Sequence, residues 1–441
     1  MDPLLLAVQN AVSRYVQINP ASEAQHRSAR NVLPGGNTRT TLHYSPFPLT
    51  FASAEGAVLT SVDGDRYVDL LGDYTAGLYG HSNPVILETI RTTLSRGLNY
   101  GGQNLDEARL AKILTDRFPS VELIRFTNSG TEANLLALVT ATAHTGRKAV
   151  VVFEGGYHGS VLTFTSGDVV TNAPFDFILA NYNDVEGGRS LLRRLGDEVA
   201  AVLVEPMLGS GGCVPADPEF LRMLREETSR SGSLLIFDEV MTSRLSPGGA
   251  QQTFHISPDL TTFGKYIGGG MSFGAFGGRR DLMESFDPMK PGSWAHAGTF
   301  NNNVLSMAAG VAGLERVFTA EACVALNVRG EVLREQLNEV LRDGGIDMQV
   351  SGWGSLMTFH GTANPISDAS HLVGSNDLVK ELLFFHLLSE GFWIARRCMI
   401  ALSLAVSDDD CARLVSVVRA FVHEYKRVLP KRRSSLVPVA L

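Results

Sequence analysis

The sequence is poor in cysteine, and its cysteines form no recognisable motif. The four cysteines are scattered through 441 residues without a Cys-x-x-Cys pair, so the sequence predicts neither a disulfide framework nor a zinc site. No pair of histidines has the spacing of metal ligands, and we expect no metal. Cysteine usage of this kind is typical of a reducing compartment, which predicts a cytoplasmic protein.

Long apolar runs and basic stretches are also missing. No run reaches the roughly 18 residues of a membrane span, and residues 1–11 lack the basic flank of a signal peptide. The net charge is −8, and the one basic cluster, residues 431–433, lies in the tail. We therefore expect neither a membrane nor a nucleic acid as partner.

Lysine is scarce as well, and one lysine differs from the rest. Six of the seven lie in polar turns, in the tail or among helical residues with acidic neighbours, as solvated ammonium groups do: Lys112, Lys148, Lys290, Lys380, Lys426 and Lys431. Lys265 follows an apolar run and has glycines on both sides. A desolvated amine there is a nucleophile toward an aldehyde, although a structural lysine paired with an acid fits the local sequence equally well.

From Val121 onward, apolar strands alternate with helical segments. This pattern predicts an α/β fold with a mostly parallel sheet flanked by helices. Ligands bind beyond the carboxyl ends of such strands. Five predicted strand ends carry small, acidic, aromatic or basic residues and are expected to converge on one pocket: 128–131, 155–159, 205–206, 238–239 and 264–265.

The flanking regions have a different pattern. Residues 1–33 are predicted to form a helix, and 51–70 short strands. The chain after about residue 320 has an α+β pattern. We predict an N-terminal segment (1–70) that packs with a smaller α+β domain (321–441), and a large domain (71–320) between them.

Asp238 ends a run of four apolar residues that reads as a buried strand. A carboxylate there is costly unless it is paired. A protonated pyridine nitrogen is one possible partner, and Arg244 or Lys265 are others.

Ser129-Gly130-Thr131 precedes a helix and could bind an anion at its N-terminus, or could simply cap the helix. Tyr157, after two glycines, is either a ring that stacks on a flat cofactor or a core aromatic. His158 beside it is open to a catalytic, relaying or structural role. Thr299 lies in a polar loop and is a further candidate phosphate contact.

Two arginines are candidates for carboxylate recognition, because a guanidinium binds a carboxylate through two parallel hydrogen bonds. Arg39 lies in a loop of small residues, and Arg397 lies between two predicted C-terminal strands. The neighbouring Arg396 is better explained as a surface residue.

Taken together, several stretches resemble the class III aminotransferases, which are pyridoxal-phosphate enzymes of fold type I. The matching stretches are FTNSGTEAN (126–134), GGYHG (155–159), VEPMLG (204–209), IFDEVMTSR (236–244), PDLTTFGKYIGGGMSFGAFGG (258–278) and HAGTFNNN (296–303). They occur in the expected order through most of the large domain. The set is specific, although no single stretch is.

The resemblance implies pyridoxal 5′-phosphate (PLP) as cofactor and a role for each candidate residue. Lys265 would form the Schiff base with the cofactor and shuttle a proton, and Asp238 would bind the pyridine nitrogen. The remaining cofactor contacts implied are Tyr157 and Val240 on the ring faces, Ser129, Gly130 and Thr131 at the phosphate, Glu205 as support, and Thr299 at the partner subunit's phosphate. A homodimer with shared sites follows.

The resemblance also implies a substrate class. Residues 34–51, 74–82 and 298–304 resemble the aminotransferases of aromatic β-amino acids, with Arg39 on the β-amino acid carboxylate and Arg397 on that of a keto acid such as 2-oxoglutarate or pyruvate. The stretch Ala395-Arg396-Arg397 departs from the pattern, because that branch has a proline before the arginine. The alternatives are a glutamate-1-semialdehyde aminomutase, an ω-amine transaminase, or a non-catalytic binder on the same fold.

Overall fold

The computed structural model describes residues 2–167 and 169–432; Arg433, in the predicted basic cluster, lies outside them. The helices are α1 (Pro3–Ile18), α2 (Pro20–Ala29), α3 (Pro84–Leu94), α4 (Leu105–Arg117), α5 (Gly130–Thr145), α6 (Val185–Leu195), α7 (Pro218–Ser231), α8 (Gly249–Phe254), α9 (Arg280–Met283), α10 (Val304–Arg316), α11 (Ala320–Asp343), α12 (Asp377–Ser389) and α13 (Asp408–Glu424). The strands are β1 (Phe51–Glu55), β2 (Val58–Ser61), β3 (Arg66–Asp69), β4 (Leu123–Thr127), β5 (Ala149–Phe153), β6 (Asp176–Ala180), β7 (Val199–Val204), β8 (Met207–Leu208), β9 (Val214–Pro215), β10 (Leu234–Asp238), β11 (Leu260–Gly264), β12 (Gly274–Gly278), β13 (Gln349–Trp353), β14 (Leu356–His360), β15 (Phe392–Trp393) and β16 (Met399–Ala401).

A seven-stranded sheet forms the centre of the molecule, in the order β4-β12-β11-β10-β7-β5-β6. The strands from β11 to β6 pair in parallel, whereas β12 runs antiparallel to both its neighbours. Successive residues of a strand face opposite sides. Accordingly, Val151 packs in one apolar core with α7, and Val150 packs in another with α5. The predicted mostly parallel sheet with helices on both faces is confirmed.

The structure corrects the predicted helix over residues 1–33. The segment forms two helices that meet at Asn19, whose φ of −123° and ψ of 48° are not helical. Pro20 explains the break, because its ring disfavours helical backbone in the preceding residue and it has no N–H to donate.

The N-terminal segment contacts the C-terminal part of the chain. Helix α1 packs on α12. Strand β15 pairs in parallel with β3, so that a C-terminal strand completes the sheet β1-β2-β3-β15. The domain boundaries after residues 70 and 320 stay a prediction.

Strand β12 was absent from the predicted elements, because its sequence GAFGG reads as a turn. Its glycines allow close contact with both neighbouring strands. A side chain at Gly274 would lie 2.1 Å from the carbonyl oxygen of Ser129, and one at Gly278 would lie 2.1 Å from that of Asp259. The strand therefore joins β4 to β11 and brings Ser129 beside the end of β11.

Candidate active site

The five predicted strand ends meet at a cavity of about 380 Å³. It lies at the carboxyl edge of the parallel strands, where the fold class predicts a ligand. Its walls include Asp73, Ala76, Asn128, Ser129, Gly130, Thr131, Asn134, Tyr157, His158, Gly159, Glu205, Asp238, Val240, Met241, Lys265, Gly270, Met271, Ser272 and Phe273. Sequence reasoning identified most of the strand-end residues of this wall.

Lys265 follows β11 in a left-handed backbone conformation, with φ of 54°. Its Nζ donates a hydrogen bond of 2.8 Å to the carbonyl oxygen of Tyr74. Burial lowers the pKa of Lys265 to about 8, and the nearby Asp238 carboxylate only partly opposes this. Among residues 2–167 and 169–432, no carboxylate forms an ion pair with Lys265, so the alternative of a lysine paired with an acid is not what the structure contains.

Asp238, at the end of β10, is held by three hydrogen bonds. Its Oδ2 accepts from Asn134 Nδ2 at 2.9 Å and from His158 Nδ1 at 2.8 Å, and its Oδ1 accepts from the Val240 amide at 3.0 Å. Neither of the predicted cationic partners pairs with it. Arg244 instead donates to the main-chain carbonyl of Leu402. The carboxylate is therefore fixed while it still lines the cavity.

The support of Asp238 includes two residues that the sequence analysis missed. Asn134, on α5, also donates to the His158 carbonyl at 3.0 Å, and its Oδ1 accepts from Thr262 Oγ1 at 2.7 Å. Both residues are buried. A possible signal was the position of Asn134 one helical turn after Gly130, on the same face of α5.

Helix α5 directs its N-terminus at the cavity. Ser129 caps the helix, and its hydroxyl accepts from the Glu132 amide at 3.2 Å. Amides in the first turn of a helix have no partner within the helix and attract anions. A side chain at Gly130 would lie 2.9 Å from Val240 Cγ2, so glycine leaves the room needed there. Capping and anion binding are thus compatible at this position.

Tyr157 and Glu205 also line the cavity. Glu205 accepts hydrogen bonds from the Tyr157 amide at 2.9 Å and the Gly209 amide at 3.0 Å. Burial raises the pKa of Glu205 to about 7. Tyr157 lines the cavity and is 37% exposed, so it is not a core aromatic.

The other predicted site residues lie outside this wall. Arg39 pairs with Asp73 of the wall at 2.8 Å. Arg397 lines a second cavity of about 290 Å³ together with Tyr74. Thr299 is exposed and does not line the main cavity of its own chain.

The donor set fits a flat, protonated aromatic ring that carries an anionic group and an aldehyde. A buried carboxylate, a helix N-terminus and a lysine of lowered pKa face one cavity, and an exposed ring lies beside them. Over the described part of the chain, no cluster of three or more His, Cys, Asp or Glu side chains could hold a metal ion. No described helix is both long enough and apolar enough to cross a membrane.

Comparison with known proteins places this site in a family. The model of the family "Aminotransferase class-III" matches residues 41–422. The β-phenylalanine transaminase of Variovorax paradoxus is 49% identical over 96% of this chain and 98% of its own. The glutamate-1-semialdehyde 2,1-aminomutase of Methanothermobacter thermautotrophicus is 37% identical over 85% of this chain and 91% of its own.

Solved structures agree with the sequence matches. The structure of the Variovorax paradoxus β-phenylalanine aminotransferase has a TM-score of 0.96 and 48% identity, covering 98% of this chain and all of that one. A transaminase solved with PLP bound has a TM-score of 0.84 and 31% identity, covering 92% of this chain and 98% of that one. The chain belongs to the class III aminotransferase family, and its fold is that of the fold type I enzymes.

Proposed function

We propose that this aminotransferase moves the amino group of an aromatic β-amino acid, such as β-phenylalanine, to a keto acid such as 2-oxoglutarate or pyruvate, with PLP as cofactor. The observation that carries the proposal is Lys265, an amine of lowered pKa without a carboxylate partner among the described residues, in one cavity with Asp238 and the N-terminus of α5. The 49% identity to a β-phenylalanine transaminase supports the choice of donor.

Each residue of the cavity wall would contact a different part of the cofactor. Asp238 would bind the protonated ring nitrogen, because a fixed carboxylate stabilises that charge. Asn134 and His158 keep the carboxylate oriented toward the cavity. The remaining contacts proposed are Tyr157 and Val240 at the ring faces, Ser129, Gly130 and Thr131 at the phosphate, and Glu205 behind Tyr157.

Lys265 carries the proton transfer. Bound PLP supplies an electron-poor ring that takes up the electron pair left when a C–H bond of the donor breaks. The Lys265 Nζ would take the proton from the amine-bearing carbon of the donor and pass it to the cofactor, and in the second half of the reaction it would deliver a proton to the former carbonyl carbon of the acceptor. A pKa near 8 suits this role, since a sizeable fraction of the amine is neutral close to neutral pH.

The two arginines give the site its substrate class. Arg39 would bind the carboxylate of the β-amino acid, and Arg397 that of the keto acid. Arg39 contacts Asp73 through Nη1 alone, which leaves its other donors available. Within the described part of the chain, the buried Nε of Arg397 has no hydrogen-bond partner.

The assembly we propose is a homodimer in which Thr299 contacts the phosphate bound by the partner subunit. Thr299 and the neighbouring Phe300 are exposed, and Phe300 has 55% of its surface free. Both side chains are accessible to a second subunit. All four cysteines are free and buried, which supports a cytoplasmic location.

A donor panel tests the proposal. The purified holoenzyme is offered aromatic and aliphatic β-amino acids, α-amino acids, simple amines and glutamate-1-semialdehyde, each with 2-oxoglutarate, with pyruvate and with no acceptor. The expected result is turnover of β-phenylalanine only when a keto acid is present. Isomerisation of glutamate-1-semialdehyde without an acceptor, and no turnover of β-amino acids, would replace the proposal with an aminomutase. A preference for simple amines would make it an ω-amine transaminase.

A further inference from the structure

A strained segment runs along one side of the cavity. Asp73, Tyr74 and Thr75 are three consecutive left-handed residues, with φ of 43°, 52° and 81°. Residues other than glycine seldom adopt this conformation, and they keep it only where their surroundings hold them. Here, the Tyr74 carbonyl accepts from Lys265 Nζ, and the Tyr74 hydroxyl donates to the Thr41 carbonyl at 2.7 Å. Tyr74 is therefore held by one hydrogen bond at its main-chain carbonyl and by another at its hydroxyl.

Both candidate carboxylate-binding arginines pack on this ring. The Cζ atoms of Arg39 and Arg397 lie 5.5 Å and 5.1 Å from the centre of the Tyr74 ring. A guanidinium within about 6 Å of an aromatic ring is attracted to it. Among the described residues, Arg397 forms no ion pair, and its Nη2 donates only to the sulfur of Met399. The ring is thus a main feature that locates Arg397.

Arg39 has a second anchor. Its Nη1 pairs with Asp73 Oδ1 at 2.8 Å, next to the ring that it packs on. The contact engages one nitrogen of the guanidinium, so Asp73 leaves its other N–H groups available to a ligand. The two arginines therefore share Tyr74 but differ in Asp73.

We propose that Tyr74 is a positioning residue for both arginines, and that Asp73 positions Arg39 alone. The inference rests on the proposed function, in which Arg39 binds the donor carboxylate and Arg397 the acceptor carboxylate. Because one ring locates both guanidinium groups, a change at Tyr74 affects both substrates, whereas a change at Asp73 affects the donor only. The strained backbone of the segment places this ring within 5.5 Å of the Cζ atom of Arg39 and 5.1 Å of that of Arg397.

Binding of amine-free carboxylates tests the proposal without turnover. Calorimetry measures the affinity of the holoenzyme for 3-phenylpropanoate, which mimics the donor, and for glutarate, which mimics the acceptor. Tyr74→Leu is expected to weaken both affinities about three- to tenfold. Tyr74→Phe keeps the ring, and its affinities for both probes are expected to match those of the wild-type protein. Asp73→Asn, whose side chain tolerates a left-handed backbone, is expected to weaken 3-phenylpropanoate alone.

Steady-state kinetics give a second readout. In Tyr74→Leu, KM for donor and acceptor should rise while kcat changes much less, because the carbonyl that contacts Lys265 belongs to the main chain. Cofactor absorbance and the thermal midpoint show whether the variant is folded. If Tyr74→Leu does not fold, Tyr74→Met repeats the test with another side chain that lacks a ring.

Two reference variants separate failure of this inference from failure of the proposed function. If Arg39→Ala loses 3-phenylpropanoate and Arg397→Ala loses glutarate, but ring-less Tyr74 variants bind both normally, the positioning role is wrong and the proposed function stands. If the wild-type holoenzyme binds neither probe, or the arginine variants bind both normally, the carboxylate assignments fail first. Tighter binding of 3-phenylpropanoate by Asp73→Asn would show that Asp73 competes with the ligand, which would overturn its positioning role.

Discussion

Two sites in this protein contain a buried glutamate, and the partners of the glutamate differ between them. In the first, between α6 and α7, Glu227 is 2% exposed and pairs with Arg189 at 3.0 Å, Arg193 at 2.9 Å and Arg230 at 2.7 Å. Burial alone would raise the pKa of Glu227, but hydrogen bonds from the three arginines lower it to about 2. The buried carboxylate of this group is therefore paired with cations of the protein itself.

The second group lies in the cavity, where no described residue forms an ion pair with Glu205 or Lys265. Burial raises the pKa of Glu205 to about 7, and this carboxylate accepts hydrogen bonds from the backbone amides of Tyr157 and Gly209. Burial lowers the pKa of Lys265 to about 8. A protein keeps uncompensated buried charges at a cost, and perturbed groups of this kind cluster at functional sites. The Glu227 group therefore stabilises the fold, whereas the charged groups of the cavity are available to bind a charged ligand.

The largest expected effect comes from removing the cavity amine. Lys265→Ala should lower transamination by at least about 10³-fold, because in the proposed mechanism Lys265 is both the group that reacts with the cofactor and the base that moves the proton. Steady-state assays with β-phenylalanine and 2-oxoglutarate measure the loss. Lys290→Ala is the matched control, since Lys290 is exposed and pairs with Glu284 at 2.6 Å. Equal losses in the two variants would contradict the comparison.

The next effect concerns the carboxylate that faces the cavity. Asp238→Asn should lower kcat about 10²-fold, because a neutral amide no longer stabilises the protonated ring. Stopped-flow absorbance of the cofactor with the amine donor follows this step. Glu227→Gln is the control and should leave kcat unchanged. A variant Asp238→Asn with normal kcat would show that its charge is structural, like that of Glu227.

A smaller, selective effect is expected at Arg39, one of the two arginines proposed to bind substrate carboxylates. Arg39→Ala should raise KM for β-phenylalanine about 10- to 100-fold, because a charge-assisted hydrogen-bonded pair is lost, and leave KM for 2-oxoglutarate nearly unchanged. Arg27→Ala, which removes an exposed arginine paired with Glu23, is the control. An equal rise in both KM values would show that Arg39 does not distinguish donor from acceptor.

The pH dependence of PLP capture tests whether burial lowers the pKa of Lys265. The neutral amine is the reactive form, so the rate at which cofactor-free protein captures PLP should rise as pH increases through about 8, approximately tenfold between pH 7 and 9. Absorbance stopped flow measures it, and free lysine side-chain amine serves as a reference with its usual pKa of 10.5. A midpoint near 10 in the protein would mean that Lys265 is not desolvated.

The smallest effect on activity, and a clear one on stability, is expected in the matched group. Glu227→Gln should lower the free energy of unfolding at pH 7 by about 1–3 kcal/mol, less than for a fully buried pair because Arg193 and Arg230 are about half exposed. Since the folded-state pKa lies below the ordinary 4.5, this stabilisation is present above pH 4.5 and is lost as pH falls toward 2. Urea unfolding at several pH values measures it, and a difference that persists at pH 2 would contradict this origin.

Much of the cavity could be predicted from the sequence, because strand ends follow a local rule. Lys265, Asp238 and Tyr157 each lie within four residues of the end of an apolar run, and parallel strands bring such ends to one edge. Strand β12 escaped prediction because glycines carry no strand signal, and the break at Asn19 was missed although Pro20 marks it.

Tertiary partners could not be predicted in the same way. Asn134 meets Asp238 across 104 positions of sequence, and Arg39 meets Asp73 across 34. Nothing local to Tyr74 indicates that two arginines pack on its ring. Such contacts depend on how complete elements pack, which no short motif encodes.

The most direct test of the central claim is to identify the lysine that carries the cofactor. Reduction of the purified holoenzyme with borohydride fixes the C–N bond, and mass spectrometry of its peptides then locates the modified residue. The account predicts a phosphopyridoxyl group on Lys265 and on no other lysine. Modification of another of the seven lysines with Lys265 free, or no modification at all, would contradict it.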